Sequence, residues 1–155
     1  MNKIKIKFPD GNTKEFEKGV TAFQIAQSIS ERLAKETLAA KVNGSVIELF
    51  RSINEDAEIR FLTFDDDEGK EVYWHSSSHL MAHAIKSLYP EAKFGVGPAI
   101  DSGFYYDFDL PHTLKPEDLE RIEKRMRVII GGEHVFEKQV ISAAEARQIF
   151  KDQNY

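Results

Sequence analysis

The chain contains no cysteine. That excludes disulfides and is compatible with a reducing cytosol. It also restricts any metal bound within the chain to His, Asp or Glu ligands. No apolar run approaches the roughly 20 residues needed to span a bilayer, so no membrane partner is expected. The opening Met1-Asn2-Lys3-Ile4-Lys5-Ile6-Lys7 alternates charged and apolar side chains and lacks the continuous apolar core of a signal peptide. An excess of positive charge is missing as well. Lys and Arg number 21 against 26 Asp and Glu, a formal charge of −5. Residues 1–62 are nearly balanced, with 10 basic and 9 acidic side chains, and the acidic excess lies in residues 63–155. Neither half has the basic surface of a module that grips nucleic acid unaided, so an RNA partner would meet a patch or a pocket. Internal repeats and low-complexity segments are absent. What remains is a globular composition, 155 residues with 41% apolar and 30% charged, enough for one domain or two small ones.

The first half reads as a small mixed domain over residues 1–62. Ile4, Ile6 and Phe8 alternate with lysines, the pattern of a half-buried strand. Pro9-Asp10-Gly11-Asn12 is a turn, returning through Thr13–Glu17. Thr21 and Gln24 form a capping box that opens a helix with Phe23, Ile25, Ala26 and Ile29 near one face. Leu38–Val42 reads as a strand, Asn43-Gly44 as a tight hairpin turn into Val46 and Ile47, and Ala57–Leu62 as a final strand. Hairpin, helix and further strands in this order predict a β-grasp, ubiquitin-like fold. Phe64-Asp65-Asp66-Asp67-Glu68-Gly69 lies in an expected acidic linker, residues 63–70, whose charges also favour the N-terminus of a following helix.

Residues 71–155 are expected to form a second α+β domain. A long helix over about Glu71–Leu88 ends at Pro90 and carries the apolar positions Val72, Leu80, Ala84, Ile85 and Leu88. Asp101-Ser102-Gly103 is a turn into a return strand, with Phe104, Tyr106 and Phe108 on one face and Tyr105, Asp107 and Asp109 on the other. A helix starts at Pro116, runs through Leu119, Ile122, Met126 and Ile129, and stops at Gly131-Gly132. A strand over about His134–Ile141 and a short helix capped by Ser142 and Glu145 complete the pattern.

The long helix carries His75-Ser76-Ser77-Ser78-His79-Leu80-Met81-Ala82-His83. Residues four apart lie on one helical face. His75 and His79 can therefore share a metal, share a water or pass a proton, with His83 further round. The small serines between them would leave room for a ligand. The plain alternative is a polar stripe on an amphipathic helix. A metalloprotease would need Glu directly after the first histidine, where Ser76 stands. Three histidines on consecutive turns reach one tetrahedral centre poorly, the outer pair being roughly 12 Å apart at Cα. Phe94-Gly95-Val96-Gly97-Pro98 lacks the third glycine of a dinucleotide loop, and Pro98 removes a donor, so structural bends are the better reading.

His75-x-x-x-His79 with His83-Ala84-Ile85, then Gly97-Pro98-Ala99-Ile100-Asp101-Ser102-Gly103-Phe104-Tyr105-Tyr106-Asp107, resembles the N-terminal region of threonyl-tRNA synthetases. The resemblance implies a β-grasp TGS domain over 1–62 and, over 71–155, the first part of an editing domain with a long His-bearing helix. It further implies a class II parent enzyme that attaches threonine to tRNA(Thr) with ATP and hydrolyses mischarged seryl-tRNA(Thr). His75 and His79 match the editing-site histidines. Tyr106 matches a pocket tyrosine with Asp107 beside it, and His83 falls in a supporting position. The family completes this pocket with a later Cys-x-x-x-His motif, which this chain lacks. The expectation is a truncated piece, inactive alone, that binds no cofactor. ATP and zinc would belong to the missing core, and a metal held by His75 and His79 would require the completed pocket. The 3′ end of tRNA(Thr) is the expected partner, the full enzyme a cytoplasmic homodimer. The competing reading is a stand-alone TGS-like module that binds RNA or protein, its histidine helix purely structural.

Overall fold

The computed structural model describes residues 2–134 and 138–151, which separate into two compact units, 1–73 and 74–155. In the first, β1 (Lys3–Lys7) and β2 (Thr13–Glu17) form the expected hairpin, Ile4 opposite Phe16. Strand β3 (Val20–Thr21) leads into α1 (Ala22–Ile29), then α2 (Glu31–Glu36), β4 (Ala39–Val42), β5 (Ser45–Ile47), β6 (Ser52–Ile53) and β7 (Ala57–Leu62). The main sheet runs β2-β1-β7-β4-β5, with β1 and β7 parallel and the other pairs antiparallel. This is the β-grasp arrangement. Its core closes where Ile25 of α1 meets Ile4, Ile6, Ala40 and Ile59 of the sheet. The β4–β5 turn requires left-handed backbone at both central residues, and Asn43 (φ 49°) with Gly44 (φ 84°) tolerate it. The Thr21–Gln24 capping box is present in both directions. Ile29 leaves the expected apolar face of α1 and is 45% exposed. The short α2 and the two-residue β3–β6 pair carry signals too brief for periodicity to find.

The acidic segment is not simply a solvated linker. Helix α3 spans Asp67–Leu88, starting four residues before the expected Glu71. The Asp66 carboxylate accepts from the Thr63 amide at 2.9 Å and from the Arg60 guanidinium, which hold it below the usual carboxylate range. Lys70 N–H donates to the Asp66 carbonyl at 2.9 Å. Gly69 closes this turn, because a Cβ there would lie 1.9 Å from the Thr63 carbonyl oxygen. Capping and close backbone approach thus draw part of the expected linker, residues 63–70, into a helix start.

The second unit holds the rest of α3, then β8 (Lys93–Phe94), β9 (Ala99–Ile100), β10 (Gly103–Phe104), β11 (Phe108–Asp109), α4 (Pro116–Gly131) and α5 (Ala143–Ile149). The expected return strand through Phe104–Phe108 is two strands: β10 pairs with β9, and β11 with β8. The interruption is a bulge in one hairpin: Gly95 N–H donates to the Asp107 carbonyl while Asp107 N–H donates to the Val96 carbonyl, so two residues face one and the register slips by one between β8–β11 and β9–β10. Burial still alternates, with Phe104, Tyr106 and Phe108 half-buried and Tyr105, Asp107 and Asp109 exposed. The core joins Ala84, Ile85 and Tyr89 to Ile122 and Ile129 of α4. Leu119, expected on that apolar face, is 59% exposed. Of the expected strand His134–Ile141, residues 134 and 138–141 are not in a strand, and 135–137 lie outside the described residues. Among the described residues no helix is long and apolar enough to cross a membrane.

Candidate functional site

Helix α3 sorts its three histidines into a pair and a single. The rings of His75 and His79 stand 4.7 Å apart between centroids, tilted by 55°. His83 instead neighbours the ring of His134, at 6.3 Å. All three α3 histidines are exposed. Partial loss of water around His79, with a smaller contribution from the charge of nearby His75, lowers its pKa from the ordinary 6.5. At pH 7 this imidazole is mostly neutral and can accept a proton. Replacing His75 by Gln should move the His79 pKa upward but leave it below 6.5, since desolvation is the larger cause. Titration of the His79 ring signals by NMR checks this, and a value at or above 6.5 would mean that His75 is the main cause.

Ser78 lies in the same turn and corrects one expectation. Rather than leaving space for a ligand, it is fully buried. Its Oγ lies 2.8 Å from the His75 carbonyl oxygen and 2.9 Å from the Gly97 carbonyl oxygen. Gly97 in turn supports Tyr106: a Cβ at this glycine would come 2.2 Å from the tyrosine ring. The Tyr106 ring meets Phe94 edge-on, with centroids 5.8 Å apart. The histidine turn and Tyr106 are thereby joined through one serine and one glycine. Asp107 is exposed, on the other side of the chain from Tyr106. Its N–H donates to the Val96 carbonyl at 2.9 Å and its carbonyl accepts from Gly95 N–H at 2.7 Å. Of the five residues singled out from sequence, His75 and His79 are brought side by side, Tyr106 packs on the glycine that Ser78 of their turn reaches, His83 neighbours His134, and Asp107 bonds the backbone of Gly95 and Val96. Ser78 was missed because a small polar residue between two histidines carries no local sign of its burial.

Gly95 and Gly97 are packing positions, with Asp107 and Tyr106 where a Cβ would go. Among the described residues no three His, Cys, Asp or Glu side chains come together as a metal site. The first unit holds a surface cleft of about 300 Å³ lined by Lys7, Lys41 and Arg60 among others. Each of these cations meets an acid: Lys7 with Glu58 at 2.6 Å, Lys41 with Glu68 at 2.7 Å, and Arg60 with Asp66. Paired charges of this kind leave little net attraction for a polyanion.

Residues 4–63 match the family model of the TGS domain. Across all 155 residues the chain is 51% identical to the threonine–tRNA ligase of Staphylococcus saprophyticus. It is 50% identical over 153 residues to that of Porphyromonas gingivalis and 48% over 149 residues to that of Carboxydothermus hydrogenoformans. These alignments take in 96–100% of this chain but only 23–24% of each relative. The chain therefore spans about a quarter of the length of the curated relatives it matches.

Proposed function

From the premise that this chain is a TGS domain followed by a unit that also matches the N-terminal part of bacterial threonine–tRNA ligases, we propose that it serves as the leading quarter of such an enzyme. The whole protein attaches threonine to tRNA(Thr) using ATP, as a cytoplasmic class II homodimer. The second unit contributes to hydrolytic removal of serine attached by mistake. Serine lacks one methyl of threonine and keeps the hydroxyl, a difference worth only about 1–3 kcal/mol to a binding site. A second, hydrolytic site makes up the shortfall.

The observation that carries this reading is the close pair His75 and His79, with the His79 pKa lowered and Tyr106 packed on the glycine that their turn reaches through Ser78. Water attacks the carbonyl carbon of the seryl ester. His79 takes the proton that the water loses, and the tetrahedral carbon then releases the ribose oxygen of the terminal adenosine. The proton returns to that oxygen, leaving serine and intact tRNA. His75 hydrogen-bonds the ribose and keeps the proton within the pair.

The test is deacylation by the longer protein proposed here, with seryl-tRNA(Thr) and threonyl-tRNA(Thr) side by side. Faster loss of serine, abolished by His75→Ala, is expected. Equal rates for the two esters, or full activity in the variant, would sink the hydrolytic role. The reading frame beyond Tyr155 tests the parentage independently: class II motifs support it, and a stop codon favours a free-standing TGS module.

A further inference from the structure

We propose that Ser78 is a positioning residue of the histidine site, setting the place of Tyr106 relative to His75 and His79; this rests on the hydrolytic role proposed above. A serine within a helix ordinarily satisfies its hydroxyl on a carbonyl three or four residues back. Ser78 has that acceptor, the His75 carbonyl at 2.8 Å. One hydroxyl proton needs no more. Yet the same oxygen sits 2.9 Å from the carbonyl of Gly97, 19 residues along the chain and outside any helix or strand. The single proton is shared between the turn that carries the histidines and the loop on which Tyr106 rests. The serine is completely buried, so no water can replace it in that role.

The second half of the strut is Gly97. Its bare Cα lies so close to Tyr106 that any side chain would enter the ring. Backbone height at Gly97 is therefore passed directly to the tyrosine. Moving the loop by the length of a lost hydrogen bond moves the phenol by a similar amount, while both histidines stay on their helix. Misplacement of about 1 Å in a reacting group costs roughly 10²-fold in rate.

Ser78→Ala removes the donor, and Ser78→Cys keeps a side chain of similar shape with only a weak donor. In the longer protein both should lower kcat for seryl-tRNA(Thr) deacylation by between tenfold and roughly 10²-fold, with KM within about twofold. In the 155-residue chain both should weaken the NMR contact between the Gly97 α-protons and the side chain at position 78, and shift the Tyr106 ring signals with the loop. A purely structural serine predicts otherwise: Ser78→Cys would match wild type, and the Tyr106 ring signals would stay in place in every folded variant. Either result overturns the proposal, as does a change confined to KM. If His75→Ala leaves hydrolysis intact, the hydrolytic reading fails instead, and the Tyr106 ring signals alone then decide whether Ser78 places Tyr106.

Discussion

His79→Ala is expected to reduce seryl-tRNA(Thr) deacylation by the longer protein by roughly 10²–10⁴-fold, the usual contribution of a positioned general base. The side chain is exposed at the surface of this unit, so its loss should leave folding nearly unchanged. The magnitude separates two roles. A histidine that only lines the pocket would raise KM, whereas a proton acceptor lowers kcat. The pH profile provides a second check. The folded-state pKa of His79 is lowered from 6.5, so the rate should be flat above pH 6.5 and fall as pH drops through that lowered value. The sign for stability is the same. The unfolded chain takes up the proton first, so the folded state loses stability as pH falls from 6.5 toward the lowered pKa, and the loss levels off below it. A rate that rises on acidification would show that the protonated imidazole is the active form.

Gly97→Ala should destabilise the second unit by about 1–3 kcal/mol, the range for forced overpacking. The added Cβ would stand 2.2, 2.4 and 2.8 Å from three carbons of the Tyr106 ring, all inside van der Waals contact. Relief requires the ring to leave its edge-on contact with Phe94 or the loop to lift from Ser78. Urea unfolding can be followed through Trp74, the only tryptophan, which lies in this unit within 6.4 Å of the Phe104 ring. The double variant Gly97→Ala, Tyr106→Ala discriminates the cause. With the ring gone the alanine has space, so the double variant should be no less stable than Tyr106→Ala alone. Additive losses would place the strain in the backbone of Gly97.

Several elements were legible because their signals are local. Thr21 with Gln24 caps α1, Pro116 opens α4, and Asn43-Gly44 turns β4 into β5 where expected. The four-residue step of His75 and His79 dictates their shared face once a helix forms. Other elements depended on distant partners. The break between β10 and β11 arises from a bulge that sets Gly95 and Val96 opposite Asp107, and the early start of α3 depends on Thr63 and Arg60 reaching Asp66. Leu119 satisfied the helical period yet faces solvent, because periodicity names a face without saying whether anything covers it.

The sequence by itself determined the β-grasp order of the first unit and the histidine pair, since turns, caps and helical repeats act over a few residues. Tertiary structure alone decided which histidine neighbours His134, and that Tyr106 packs on the glycine that Ser78 reaches. It also made Ser78 the link between helix and loop. Those outcomes rest on contacts between residues nine, 19 and 51 apart, where burial and close backbone approach, not local preference, select the arrangement.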